Sequence, residues 1–189
     1  MKKFFLMAMM ACATITAFAQ FRVEAGFISQ ADDEEGNDVS LSGLKVGGYY
    51  MLNDVILDNG VLEAGVTFQM ASGKEDGIKY KHMDFAIPIN AGYAIEAADD
   101  FIVRPYFGIN LKFNTKFEAS NDGVTLDLLK KDIVGSDVNK FQFGGQVGAV
   151  CQWDKFTLGY QFQKDFGDLY KDIDDSKFAT HTFSVGYIF

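Results

Sequence analysis

The amino-acid sequence predicts an all-β chain: an eight-stranded antiparallel up-and-down transmembrane β-barrel with its apolar face outward. Three observations predict it. From Phe21 onward hydropathy alternates with a period of two, the strand signature. Phenylalanine and glycine sort to opposite faces of those alternating runs. The composition, 48% hydrophobic with 19 Gly and 19 Phe in 189 residues, is unusual for a soluble enzyme. The length suits one domain.

The chain opens with Met1-Lys2-Lys3, an apolar stretch from Phe4 to about Ile15, and Ala17-Phe18-Ala19 before Gln20. That is the basic, apolar and A-x-A pattern of a cleaved signal peptide. Residues 1–19 are therefore expected to depart on export, leaving residues 20–189 as the barrel domain. A lipoprotein reading at Cys12 competes, but it leaves an apolar region of only about eight residues. Cleavage removes Lys2 and Lys3 and takes the formal charge from −9 to −11. It also leaves Cys151 without an intramolecular partner. An acidic chain lacks the basic density that nucleic acid requires. No later stretch offers the roughly 18 uncharged apolar residues of a spanning helix. The best, Phe85 to Ile95, contains Pro88 and Asn90 and stops at Glu96.

Alternation marks eight runs: 21–29, 43–52, 61–71, 81–93, 101–113, 140–152, 156–164 and 179–189. Of the 16 Phe beyond residue 19, 13 take the apolar face, and Phe117, Phe166 and Phe178 lie between runs. Ten of the 19 Gly take the other face. A soluble lipocalin-like barrel would hold the apolar face inside. A narrow eight-stranded interior has no room for 13 Phe and their aliphatic neighbours. The polar face also carries too few charges for a water-facing surface. Reversing the barrel removes both difficulties, and Lys81, on the apolar face, then sits at a strand end. In hydrocarbon every backbone group must pair internally, so a spanning sheet must close.

With the N-terminus periplasmic, the connections near 53–60, 94–100 and 153–155 are periplasmic. Those near 30–42, 72–80, 114–139 and 165–178 are extracellular, and they are longer, as expected for such barrels. Thr125 to Val134 suits a short helix or a hairpin extension.

The stretch His181-Thr-Phe183-Ser-Val185-Gly-Tyr187-Ile-Phe189 has apolar side chains at every second place. It resembles the last strand by which the outer-membrane assembly machinery recognises its clients, with Phe183, Val185, Tyr187 and Phe189 as the signal. Ala86-Ile87-Pro88-Ile89-Asn90-Ala91-Gly92-Tyr93 and Phe141-Gln-Phe-Gly144-Gly-Gln-Val-Gly148 resemble the outer-membrane β-barrel family that includes PorT-like and OmpX-like proteins. The resemblance covers residues 20–189. It implies eight antiparallel strands, an inner polar network and no continuous pore.

The lumen-facing charges are Arg22, Glu24, Lys45, Glu63, Asp84, Arg104 and Lys112. Unpaired buried charges are costly, so these are expected to form a paired structural network. Tyr49, Tyr106 and Gln residues 69, 142, 146, 152 and 161 extend it. Asp32, Asp33, Glu34 and Glu35, with Asp38, form an acidic cluster in the first outer loop, and Asp165, Asp168, Asp172, Asp174 and Asp175 form one in the last. Carboxylate oxygens suit Ca²⁺ or Mg²⁺, but the first cluster lacks EF-hand spacing and is expected to be a solvated loop. No metal or other cofactor is expected.

His82, near an outer rim, is expected to be a satisfied polar residue. His181 lies at the outer end of the last strand on the lipid face, where a lipid-modifying enzyme would carry its base. Neither Ser184, on the other face, nor Ser176, in the loop, is placed as its partner. Cys151 is expected to be an inert apolar side chain. Trp153, Tyr50, Tyr93, Tyr160 and Tyr187 are expected at the headgroup levels.

The sequence thus points to a small, non-enzymatic integral protein of a Gram-negative outer membrane, monomeric, with a structural or surface-interaction role. Its expected partners are membrane lipid and lipopolysaccharide, the barrel assembly machinery, and a surface ligand held by loops 30–42, 114–139 and 165–178. A lipid-modifying enzyme and a soluble carrier of a hydrophobic ligand are the alternatives.

Overall fold

The computed structural model describes residues 19–189 apart from 33–39, 55–56, 76, 122, 131, 133–134, 136 and 172–176. Ten strands follow in order: β1 (Ala19–Asp32), β2 (Ser40–Asn53), β3 (Gly60–Glu75), β4 (Ile78–Tyr93), β5 (Ile95–Ala98), β6 (Phe101–Asn121), β7 (Val124–Asp127), β8 (Phe141–Trp153), β9 (Phe156–Asp165) and β10 (Phe178–Ile188). Each of the eight long strands pairs antiparallel with the long strands before and after it, and β10 closes onto β1. The short β5 and β7 pair only with β6. The result is a closed eight-stranded antiparallel barrel. Closure gives every long strand two neighbours, so none of the eight is an edge strand.

The pleat assigns the faces. Eleven of the 13 apolar-face phenylalanines are exposed on the outside, Phe107 at 68%. Phe68 and Phe162 are half-buried beside Phe85 and His181. The residues between them point inward. Arg22, Glu24, Lys45, Glu63, Asp84, Arg104 and Lys112 are all buried. A carrier with its phenylalanines inside is therefore not this molecule. The inward glycines make room for rings: a Cβ on Gly65 would lie 2.6 Å from Tyr49 Cδ1, and one on Gly148 2.6 Å from the Tyr106 ring.

The strands run further than hydropathy alone predicts. β3 and β4 turn tightly around Gly77, at φ +86°, so the expected 72–80 connection is a hairpin tip. β6 continues to Asn121 and returns through Gly123, at φ +84°, into β7. Thr125 to Asp127 thus belong to a hairpin extension and not to a helix. Outside the apolar belt the ladder persists while its side chains become polar, so the pattern fades before the strand ends.

One bulge interrupts the long ladders. Asp84 pairs with Asn114 but Met83 pairs with Lys116, leaving Thr115 extra on β6, its hydroxyl donating to Met83 O at 3.0 Å. Beyond it, Phe117 is buried on the inner side. Phe178, at the start of β10, is buried too. These two phenylalanines are therefore strand residues pointing inward, not connection residues. They join Ile28, Leu41, Ala71, Leu129 and Leu169 in an apolar cap at the end opposite the start of β1 and the end of β10. A bridge between Val138 and Tyr170 and a bond from Asn139 N to Leu169 O (2.7 Å) tie the cap segments together. A smaller apolar group, Met51, Val61 and Ile188, lies at the other end.

Candidate functional site

The interior is a stack of polar layers beneath that cap. In the layer nearest the strand termini, Arg22 bridges two carboxylates, with Nη1 2.6 Å from Glu24 and Nη2 2.9 Å from Glu63. Its guanidinium lies 4.3 Å from the centre of the Tyr49 ring, whose hydroxyl donates to Glu24 at 2.7 Å. Lys45 Nζ stands 3.3 Å from Glu24 and donates to Gln161 at 2.8 Å. Asn90 donates to Glu63 at 3.0 Å and accepts from Gln146, which accepts from Gln161 at 3.0 Å. Arg104 is buried in this region with one Nη lacking a hydrogen-bond partner.

Higher up, Lys112 pairs with Asp165, and Gln69 donates to Asp84 at 2.9 Å. His82 lies above them between Gln30 and Asn114, at 2.9 Å from each, stacked on Phe178 and edge-on to Phe117. Asn114 donates to Gln142 at 2.6 Å, and Gln142 to Gly167 O at 2.7 Å, joining the network to the cap segment. Asp165 is the charged member that sequence reasoning missed, beside the uncharged Gln30, Asn90, Asn114 and Gln163. It closes β9 and faces inward, so it belongs to the lumen and not to the acidic loop. Its position two residues after Gln163, on the inward register of β9, was the available signal. Gln152 lies at the mouth, bonded to Asp154 O at 2.9 Å.

Of the acidic clusters, Asp33, Glu34, Glu35, Asp38, Asp172, Asp174 and Asp175 lie outside the described residues, as does Ser176. Asp32 ends β1. Asp168 pairs with Lys177 at 3.4 Å. Among the described residues no three His, Cys, Asp or Glu converge as a metal site.

On the outer face, the Tyr160 hydroxyl meets His181 Nδ1 at 2.8 Å. Ser184 points inward and donates to Glu24 at 3.4 Å. A different serine, Ser29, stands directly across from His181 in the β1–β10 register. Pairing the first strand with the last, as closure demands, would have found it. Phe183 and Val185 are exposed on the outside, and Phe189 N donates to Phe21 O at 2.9 Å. The Phe189 ring sits 6.3 Å from Phe21 and 5.0 Å from Tyr187. With Tyr50, Tyr93 and Trp153 exposed at the same end, this is an aromatic rim. Tyr160 stands apart from it, beside His181. Cys151 is a free, half-buried thiol.

A closed barrel with an apolar exterior and a charged interior is the arrangement that lipid requires. The model of the outer membrane protein beta-barrel domain matches residues 4–189. The chain belongs to this family. No curated protein sequence matches this outer-membrane barrel. Solved structures similar to it include Ail, the attachment invasion locus protein of Yersinia pestis, in complex with the heparin analogue sucrose octasulfate. That likeness has 13% identity, a TM-score of 0.52, and covers 90% of this chain and 99% of the other. Neisserial surface protein A is similar at 12% identity and TM-score 0.52, covering 89% and 96%. The outer membrane enzyme PagL is similar at 10% identity and TM-score 0.53, covering 88% and 98%. At such identities the likeness is one of fold, and the same fold carries a surface protein and an enzyme.

Proposed function

We propose that this outer-membrane barrel is a non-catalytic integral protein of a Gram-negative outer membrane, exported through a cleaved signal at residues 1–19. It acts as a structural or surface-interacting element and not as an open pore. The observation that carries this reading is the filled lumen. Paired charges from Arg22 to Asp165 occupy the interior, and an apolar cap covers the end we take as extracellular. Eight strands enclose a space that side chains can fill. The long hairpins at that end, with loops 30–42, 114–139 and 165–178, are the surface offered to a ligand. The likeness to a protein described as an attachment invasion locus protein favours that use. The last strand, with Phe183, Val185, Tyr187 and Phe189, serves as the assembly signal, and the barrel works as a monomer amid lipid and lipopolysaccharide.

Cell fractionation, gel mobility with and without boiling, and planar-bilayer recording test this together. An outer-membrane location, a heat-dependent shift and no steady conductance are expected. A stable conductance would overturn the filled-lumen reading.

One observation favours a second reading, a lipid-modifying enzyme: Ser29 stands opposite His181 at the outer rim. Against it, His181 Nδ1 is engaged by Tyr160, and among the described residues no carboxylate is ion-paired with His181. Altered lipid A in the mass spectrum of expressing cells, lost in both Ser29→Ala and His181→Ala, would establish the enzyme.

A further inference from the structure

The outer edge of the apolar belt can be located strand by strand. On β1 the outward residues pass from Phe27 to Ser29, on β2 from Leu44 to Ser42, and on β10 from Phe183 to His181. Those three strands cross the boundary without a lysine or arginine. On β3 and β4 the outward sequence instead runs from Met70 to Ser72 and Lys74, and from Met83 to Lys81 and Lys79.

The register makes these lysines a cluster. Lys74 and Lys79 are directly opposed, and Lys81 faces Ser72 one row nearer the belt. The bulge at Thr115 turns Lys116 outward beside Met83. Like charges placed directly across a ladder destabilise it unless something neutralises them. Glu118 meets Lys116 at 2.9 Å and stands directly across from Lys81 in the β4–β6 ladder. Among the described residues, Lys74, Lys79 and Lys81 have no ion-pair partner. This basic patch belongs to a chain of formal charge −9, so general basicity does not account for it. Rows two residues apart are about 7 Å apart along a strand, so Lys116, Lys81 and the Lys74/Lys79 pair fill three successive rows over about 14 Å, which strand tilt and the reach of the lysine stems bring toward the headgroup level.

We infer that Lys74, Lys79, Lys81 and Lys116 form a docking surface for the phosphate groups of a lipid in the surrounding outer leaflet. The lysine stems lie along the belt edge while their ammonium groups reach the phosphates. The surface faces sideways, at headgroup depth, where lipid phosphates already stand. That position favours a lipid over a soluble anion. The inference rests on the membrane-spanning reading above.

The test uses the purified barrel in nanodiscs of phosphatidylcholine with or without phosphatidic acid, with retained lipid counted by native mass spectrometry. The protein should keep phosphatidic acid in preference to phosphatidylcholine. Retention should fall about tenfold or more in Lys74→Gln/Lys79→Gln/Lys81→Gln and persist in the corresponding arginine variant. Inorganic phosphate should not compete. Equal retention by the glutamine variant would overturn the proposal. So would lysine-dependent binding of heparin by the detergent-solubilised barrel without any preference for phosphatidic acid, since the surface would then serve a soluble polyanion. The gel shift on boiling, read on every variant, separates these results from a failure of the barrel itself.

Discussion

Lys112 and Asp165 form an ion pair in the upper lumen with each side chain only 1% exposed. Gln163 donates to the same carboxylate at 3.4 Å, and the Phe178 ring lies 5.2 Å from Lys112 Nζ. Neither charge can be relieved by water without opening the cap above it.

Lys112→Met should therefore cost about 3–5 kcal/mol, because it leaves the Asp165 carboxylate buried without its counter-charge. Lys112→Met/Asp165→Asn should recover most of that loss. Urea titration of the folded gel band in detergent, run as a double-mutant cycle, measures both. A double variant no better than the single would refute the pairing energy.

Arg22 and Arg104 are both buried in the lower lumen, yet only Arg22 holds two carboxylates. Arg22→Met should destabilise by about 3–5 kcal/mol. Arg104→Met removes a guanidinium with one unpartnered nitrogen and should cost about 1 kcal/mol or less. Similar midpoint shifts for the two would contradict the network as described.

Gly65 leaves space for the Tyr49 ring, so Gly65→Val should overpack the lumen and cost about 1–3 kcal/mol. Pairing it with Tyr49→Ala should return part of the loss. Thermal conversion of the folded band to the unfolded band reads the comparison.

Phe189→Ala removes ring contacts with Phe21 and Tyr187 but keeps the backbone bond to Phe21 O. Stability in detergent should fall only about 1 kcal/mol. If the last strand is the assembly signal, the amount of folded barrel in the outer membrane should fall much further. Equal effects in detergent and in cells would assign Phe189 a packing role alone.

Much of the barrel was legible because one face meets lipid. Phe107 and Leu111 have no alternative face to occupy, so alternation between lipid and lumen leaves a strong period-two trace. The seven inward charges followed from the same register. Two kinds of feature escaped it. Asp165, Phe117 and Phe178 lie where strands leave the lipid, and there polarity no longer reports direction. Ser29 escaped notice as a neighbour of His181 because the two meet only through closure of β1 onto β10, a property of the whole sheet and not of either strand's own pattern.

Thr115 has a consequence for how the barrel tolerates change. Among the long ladders described, the Met83/Asp84 step is where pairing shifts by one residue. Removing a residue from the middle of any other long strand exchanges inside for outside along half its length. Removing Thr115 leaves Asn114 opposite Asp84 and Lys116 opposite Met83, with both faces as they were. The strand thus carries one spare link, and length variation in this chain's spanning strands should be permitted there.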